Sequence, residues 1–110
     1  MSKYGAIKTE VAGIKFDSKA EARRYQQLTL LVRAGVIRDL ERQVSYELAP
    51  SVRLHGSKRV KPALRYIADF RYVRSGRVIV EDVKGVITPL FRVKQHLMKS
   101  VHDIDVEIVS

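Results

Sequence analysis

Asp69, Asp82 and Lys84 are the side chains whose types and spacing could do chemistry in this chain. Two runs rich in β-branched and aromatic residues, 66–73 and 77–83, flank Ser75 and Gly76. That pattern predicts two antiparallel strands joined by a tight turn. Counting outward from the turn pairs Arg74 with Arg77, Val73 with Val78, Arg71 with Val80 and Asp69 with Asp82. A four-residue loop over 74–77 keeps the same pairing. Opposed residues share a face, with Cβ atoms roughly 4.5–5.5 Å apart, and the period of two adds Lys84 beside Asp82. One face therefore carries Asp69, Asp82 and Lys84 among Ile67, Val78 and Val80. Two carboxylates so placed repel unless a cation, a shared proton or good solvation relieves them. Mg²⁺ suits such a pair, because it takes one or two carboxylates together with substrate phosphates. A lone Asp-x-Lys is most simply a solvated pair near a strand end. Asp69 falling opposite by an independent count weighs against that reading. Glu81 is the rival to Asp82: strict alternation sends it to the other face, and a bulge would reverse the choice.

Further elements must hold these strands in place. Residues 1–16 alternate weakly around Gly13 and read as an extended arm or hairpin. Ser18 is a good helix N-cap with Glu21 at the third helical position of a capping box. Ala22, Tyr25, Leu28, Leu31 and Val32 follow as an apolar stripe, and Gly35 ends the helix. Glu21 has two readings, a capping side chain or a third carboxylate aimed at the hairpin. The stretch 36–48 leads into a strand on the alternation of Val44, Tyr46 and Leu48, closed by Ala49 and Pro50. Residues 51–62 form a basic, Gly-containing loop with Arg53, Lys58, Arg59 and Lys61, either a solvated turn or a phosphate-contacting one. Thr88 and Pro89 open a second helix, for which Leu90, Val93, Leu97 and Val101 are the expected buried stripe and Lys94 a solvated lysine or a reach toward the site. Ile104, Val106 and Ile108 alternate as a last strand.

The 110 residues make one domain, 1–110, with 21 Lys and Arg against 12 Asp and Glu, a formal charge of +9. That charge attracts polyanions, nucleic acid before anionic membrane. Lys19, Arg23 and Lys94 join the loop as candidates to hold a phosphate backbone; if the loop is only a solvated turn, that charge is to be sought on Lys19, Arg23 and Arg24 of the first helix or Arg92, Lys94 and Lys99 of the second. With no cysteine, disulfides, thiolate zinc sites and thiol nucleophiles are excluded. His55, His96 and His102 are scattered, which disfavours a histidine metal site. No apolar run is long enough to span a bilayer and no signal-peptide core opens the chain, so an intracellular, cytoplasmic protein is expected.

The predicted order of helix, three strands, helix, strand, with Glu21 on the first helix, Asp69 on the hairpin and Asp82-Val83-Lys84 after it, resembles the PD-(D/E)XK nuclease superfamily. The stretches FDSKAEARRY, YIADFRY and VEDVKG are similar to small phage-type Holliday junction resolvase-like endonucleases of the endonuclease I group. Ala68 stands where the superfamily has proline. The resemblance implies an α/β fold with an αβββαβ core, a central mixed sheet flanked by helices. It also implies Mg²⁺-dependent (or Mn²⁺-dependent) hydrolysis of DNA, branched DNA first, in a phage- or prophage-infected bacterium; cutting both strands of a junction symmetrically makes a two-fold homodimer the geometric expectation. A nicking or restriction-type duplex enzyme, or a non-catalytic nucleic-acid-binding module, are the alternatives. The implied roles are Asp69 and Asp82 for metal, Glu21 for metal or orientation, and Lys84 beside the attacking water.

Overall fold

A computed structural model describes residues 8–110, so the first part of the N-terminal arm lies outside the described residues. From Thr9 onward the arm is a hairpin of β1 (Thr9–Val11) and β2 (Ile14–Phe16), with Val11 paired to Ile14. Ala12 and Gly13 both take positive φ at its tip, the conformation that a two-residue turn of this hand needs. Helix α1 (Lys19–Arg33) follows, then β3 (Ile37–Ala49), β4 (Leu64–Arg74), β5 (Arg77–Val83), helix α2 (Pro89–His102) and β6 (Glu107–Val109). The sheet runs β3-β4-β5-β6, antiparallel except for the parallel β5–β6 pair. This is the expected α/β architecture with a central mixed sheet.

The helix boundaries follow from their caps. Ser18 Oγ accepts the Glu21 N–H at 3.1 Å, and Gly35, at φ 75°, carries the chain out of α1 one residue after the cap Ala34. Thr88 Oγ1 accepts the Phe91 N–H at 3.1 Å, and Asp103 closes α2 in the left-handed region.

Two apolar clusters fill the molecule. One gathers Leu48, Tyr66, Ala68, Val80 and Val106 under Phe91 and Met98 of α2. The other gathers Phe16, Ile37, Phe70 and Tyr72 under Ala22 and Leu28 of α1. Along β5 the faces alternate: Val80 belongs to the α2 side, while Ile79 and Val83 pack on the α1 side. The helices thus cover opposite faces, and Val80, Glu81 and Asp82 are buried in succession, as in a strand covered on both sides.

Along β4 the alternation breaks. Tyr66 and Ala68 face the α2 cluster, but Phe70 and Tyr72 face the α1 cluster. Strict alternation would keep all four on one face. The change falls at Asp69, where the β3–β4 ladder passes from Arg42↔Phe70 to Val44↔Ala68 without a Gln43↔Asp69 pair, and Gln43 takes φ 52°.

Three expectations need correction here. On the hairpin face only Val80 is core, whereas Ile67 and Val78 are more than half exposed. On α2 the buried side chains are Phe91 and Met98 with Leu97 half-buried, while Leu90 (63 % exposed), Val93 (55 %) and Val101 (51 %) face outward. The helix is turned by about one residue from the expected stripe, roughly 100° at 3.6 residues per turn. The last strand is only Glu107–Val109; Ile104 and Val106 pack before it begins.

Candidate functional site

The ladder between β4 and β5 runs without a shift from Arg74↔Arg77 to Phe70↔Glu81. One step further, the register sets Asp69 opposite Asp82, and there side chains replace the ladder. Asp69 N–H donates to Asp82 Oδ1 at 2.9 Å, and Val83 N–H donates to Asp69 Oδ2 at 2.9 Å. Each carboxylate accepts a backbone donor from the other's strand. Buried backbone donors need partners, so the two acids close the gap that the break at Asp69 opens.

Strong electrostatic conflict surrounds this pair. Asp69's carboxyl is pushed up to about 8, first by burial, then by the Asp82 charge and next by Glu21; the Val83 N–H works in the opposite direction. Glu21, buried at 6 % exposure near the start of α1, is also raised, by burial first and Asp17 second, with Arg42 pulling it down. Asp82 is 2 % exposed, and Lys84 Nζ stands 3.4 Å from its Oδ2. The Lys84 ammonium also lies over the Phe91 ring, 4.8 Å from its centroid. Alternation therefore brings Lys84 beside Asp82 as the count expects.

Glu81 is settled differently. Its carboxylate takes Arg24 Nε at 2.6 Å, Arg24 Nη2 at 3.0 Å and the Tyr72 hydroxyl at 2.6 Å. A bidentate guanidinium and a phenol satisfy it on the α1 face, away from Asp69. Arg24 is thereby a structural partner rather than a free backbone-binding cation.

Glu21 neighbours Asp69 directly and also faces Arg42, whose Nη2 lies 3.9 Å from Glu21 Oε2. The guanidinium lies over the rings of Phe16 (4.5 Å) and Tyr25 (5.9 Å). The capping role falls to the Glu21 backbone, while its carboxylate faces Arg42. Sequence reasoning passed over Arg42, since its charged run, 38–42, carries no alternation to say which member turns inward. Tyr66 was missed as well. It is 3 % exposed, its hydroxyl is shut off from solvent beside Asp82, and burial followed by the Asp82 charge makes the phenol harder to ionise.

Among the described residues no group of three or more His, Asp or Glu is arranged to hold a metal ion. The reason is visible in the contacts: one oxygen of Asp69 and one of Asp82 hold backbone N–H groups, the other Asp82 oxygen faces Lys84, and Glu21 faces Arg42. The donor chemistry still fits a hard divalent cation. Asp69 and Asp82 are hard oxygen donors, and two carboxylates completed by phosphate oxygens suffice for Mg²⁺.

The cationic candidates divide by location. Lys19 and Arg23 are exposed on α1. Arg53, Lys58, Arg59 and Lys61 are exposed on the loop between β3 and β4, which a Val52↔Lys61 bridge closes into a ribbon. Within it Arg53 is already used, donating from Nη1 to the Lys58 carbonyl at 2.8 Å. Lys94 lines a cavity with Asp82 and Lys84, nearer the acids than a solvated helix lysine would be. His102 caps its ring on the Glu47 carbonyl at 2.7 Å and has no place at the acids. Among the described residues no helix is long and apolar enough to cross a membrane.

No curated protein and no solved structure gives a significant match to the chain. The family model described as "Protein of unknown function (DUF1064)" matches residues 1–109, nearly the whole length, and the chain belongs to that family.

Proposed function

We propose that this chain is a divalent-metal-dependent endodeoxyribonuclease that hydrolyses phosphodiester bonds in branched DNA. The observation that carries the reading is the Asp69–Asp82 pair, two acids set together at a break in the sheet with Lys84 beside them. A module that only holds a polyanion gains nothing from a buried and a half-buried acid set together at its centre, whereas hydrolysis of a phosphodiester gains a cation site. Asp69 and Asp82 would hold Mg²⁺ or Mn²⁺, with Glu21 at its edge. The bound ion would supply positive charge at the scissile phosphate. Lys84, steadied by Asp82 and the Phe91 ring, would donate to a phosphate oxygen as charge builds there. The +9 net charge favours the polyanion electrostatically. Two such chains in a two-fold dimer would address both strands of a junction symmetrically.

The test is incubation of labelled four-way junction and matched linear duplex with the protein, with and without Mg²⁺, beside Asp82→Asn. The expected result is Mg²⁺-dependent cleavage that favours the junction and vanishes in the variant, while DNA binding persists. Substantial Mg²⁺-dependent cleavage by Asp82→Asn would refute the site. Equal cleavage of duplex would move the substrate to linear DNA.

A further inference from the structure

Next to Asp82 and Lys84 a cavity of about 350 Å³ opens between β4, β5 and the start of α2. That volume is at the lower end for small-ligand sites. Its chemistry is divided. Arg65 and Lys94 join Lys84 on one part of the lining, together with Thr88, the N-cap of α2. The first turn of α2 has no acidic residue, so its positive end is uncompensated. Among the described residues Lys94 has no hydrogen-bond or ion-pair partner, and Arg65 has only an exposed 3.8 Å pairing with Glu47. Val86 and Leu90 form the other part, both more than half exposed although the core lies directly beneath. Tyr66 also lines the cavity, its hydroxyl shut off from solvent beside the Asp82 carboxylate.

We propose that this cavity takes one nucleotide turned out of its stack beside the scissile phosphate. Its phosphate would be held by Lys94, Arg65 and the α2 N-terminus, and its base laid on Val86 and Leu90. The mixed lining favours a nucleotide over a bare anion, which would leave the apolar wall wet, and over an apolar peptide, which would leave the cations unmet. The assignment of DNA as the source rests on the nuclease reading. It also deepens that reading. Turning a nucleotide out of a duplex costs a few kcal/mol, least where the base is already unpaired. A site that demands this step selects branch points and frayed strands over intact duplex without reading sequence.

The experiment is amide NMR of the full chain in EDTA, titrated separately with dAMP, deoxyadenosine and inorganic phosphate. The proposal expects saturable dAMP binding with Kd of about 1 mM or below, perturbing Val86, Thr88, Leu90 and Lys94, and weaker binding of either fragment. Lys94→Ala should weaken dAMP binding about tenfold, the loss of one hydrogen bond to a charged group. Leu90→Ser should weaken it severalfold by removing part of the apolar wall, while leaving the melting temperature nearly unchanged, since the side chain is mostly exposed. Phosphate binding as tightly as dAMP would reduce the cavity to an anion site and overturn the proposal. So would the absence of saturation, or unaltered binding in both variants. Because no metal is present, these outcomes are separate from cleavage: nucleotide binding without Mg²⁺-dependent cleavage sinks the nuclease reading alone, and cleavage without nucleotide binding sinks only the cavity.

Discussion

Asp69→Asn should flatten the pH dependence of stability, and the size of the effect follows from the geometry of the acid pair. In the fold the Asp69 carboxyl titrates at about 8, raised by burial first and by its neighbours Asp82 and Glu21 after that. In the unfolded chain it titrates near an ordinary aspartate value, about 3.9. Between those values the native state holds a proton that the unfolded state has released. Stability is therefore fully present below about pH 4 and falls as pH rises through 8, by at most about 1.4 kcal/mol per pH unit for one proton. From pH 5 to 7 the loss reaches up to about 2.7 kcal/mol, roughly 10 °C in melting temperature for a domain of this size. Glu21 is shifted in the same direction and adds to the slope at its acid end. Asparagine still presents an acceptor oxygen to the Val83 N–H and has no proton to lose, so Asp69→Asn should melt later than wild type at pH 8 and vary less from pH 5 to 8. Mg²⁺ should raise the wild-type midpoint most above pH 8, where Asp69 has given up its proton, and do little for the variant. Thermal unfolding followed by circular dichroism at four pH values, with and without Mg²⁺, reads all of this. Parallel slopes for wild type and Asp69→Asn would refute the electrostatic picture of the pair.

Three other perturbations probe what surrounds the acids. Arg24→Ala leaves the Glu81 carboxylate, 1 % exposed, with only the Tyr72 hydroxyl, and denaturant unfolding should register a loss of about 3 kcal/mol; Tyr72→Phe should cost about 1.5 kcal/mol, because the guanidinium remains. On α2, Val93→Ser should stay within about 0.5 kcal/mol of wild type, whereas Met98→Ala should cost about 2–5 kcal/mol, and the reverse order would restore the stripe expected from sequence. Neutralising Lys58 and Arg59 together should weaken DNA binding across sequences and reduce the slope of log Kd against log salt by about two, as fluorescence anisotropy at several salt concentrations would show; an unchanged slope would return the ribbon to a solvated turn.

The parts legible in the sequence are those set by local rules. A turn at Ser75 and Gly76 fixes the hairpin count, which the ladder follows as far as Phe70↔Glu81, and the side chains of Asp69 and Asp82 meet one step beyond it. Ser18 and Thr88 announce their helices because a cap is a bond between residues three apart. The rotation of α2 was not legible. Leu90, Val93, Leu97 and Val101 make a more continuous apolar stripe than Phe91, Met98 and the intervening Lys94 and Gln95. The less continuous face is buried because Phe91 meets Tyr66, their ring centroids 6.3 Å apart, and lies under Lys84, contacts from strands distant in sequence. Arg42 was illegible for a related reason: its place over Phe16 and Tyr25 needs the N-terminal hairpin and α1 to converge on β3.

The break in β4 connects these features. With unbroken alternation Tyr66 would face α1 along with Phe70, and the residues lining the cavity would not meet Asp82. Changing faces at Asp69 puts Tyr66 and Ala68 under α2 and Phe70 and Tyr72 under α1, so one strand serves both clusters. The same change takes Asp69 out of the β3–β4 ladder, and its N–H goes to Asp82. Gln43, on the facing strand, takes φ 52°, a conformation uncommon for a side chain of its size and stored at a cost of about 1 kcal/mol or more. A sheet shaped only by stability would put an ordinary residue pair at that position. Here the strained step and the crowded acids occur together, each unfavourable for the fold by itself. A cation at the acids would relieve the second, which is why the binding experiments carry more weight than any single substitution.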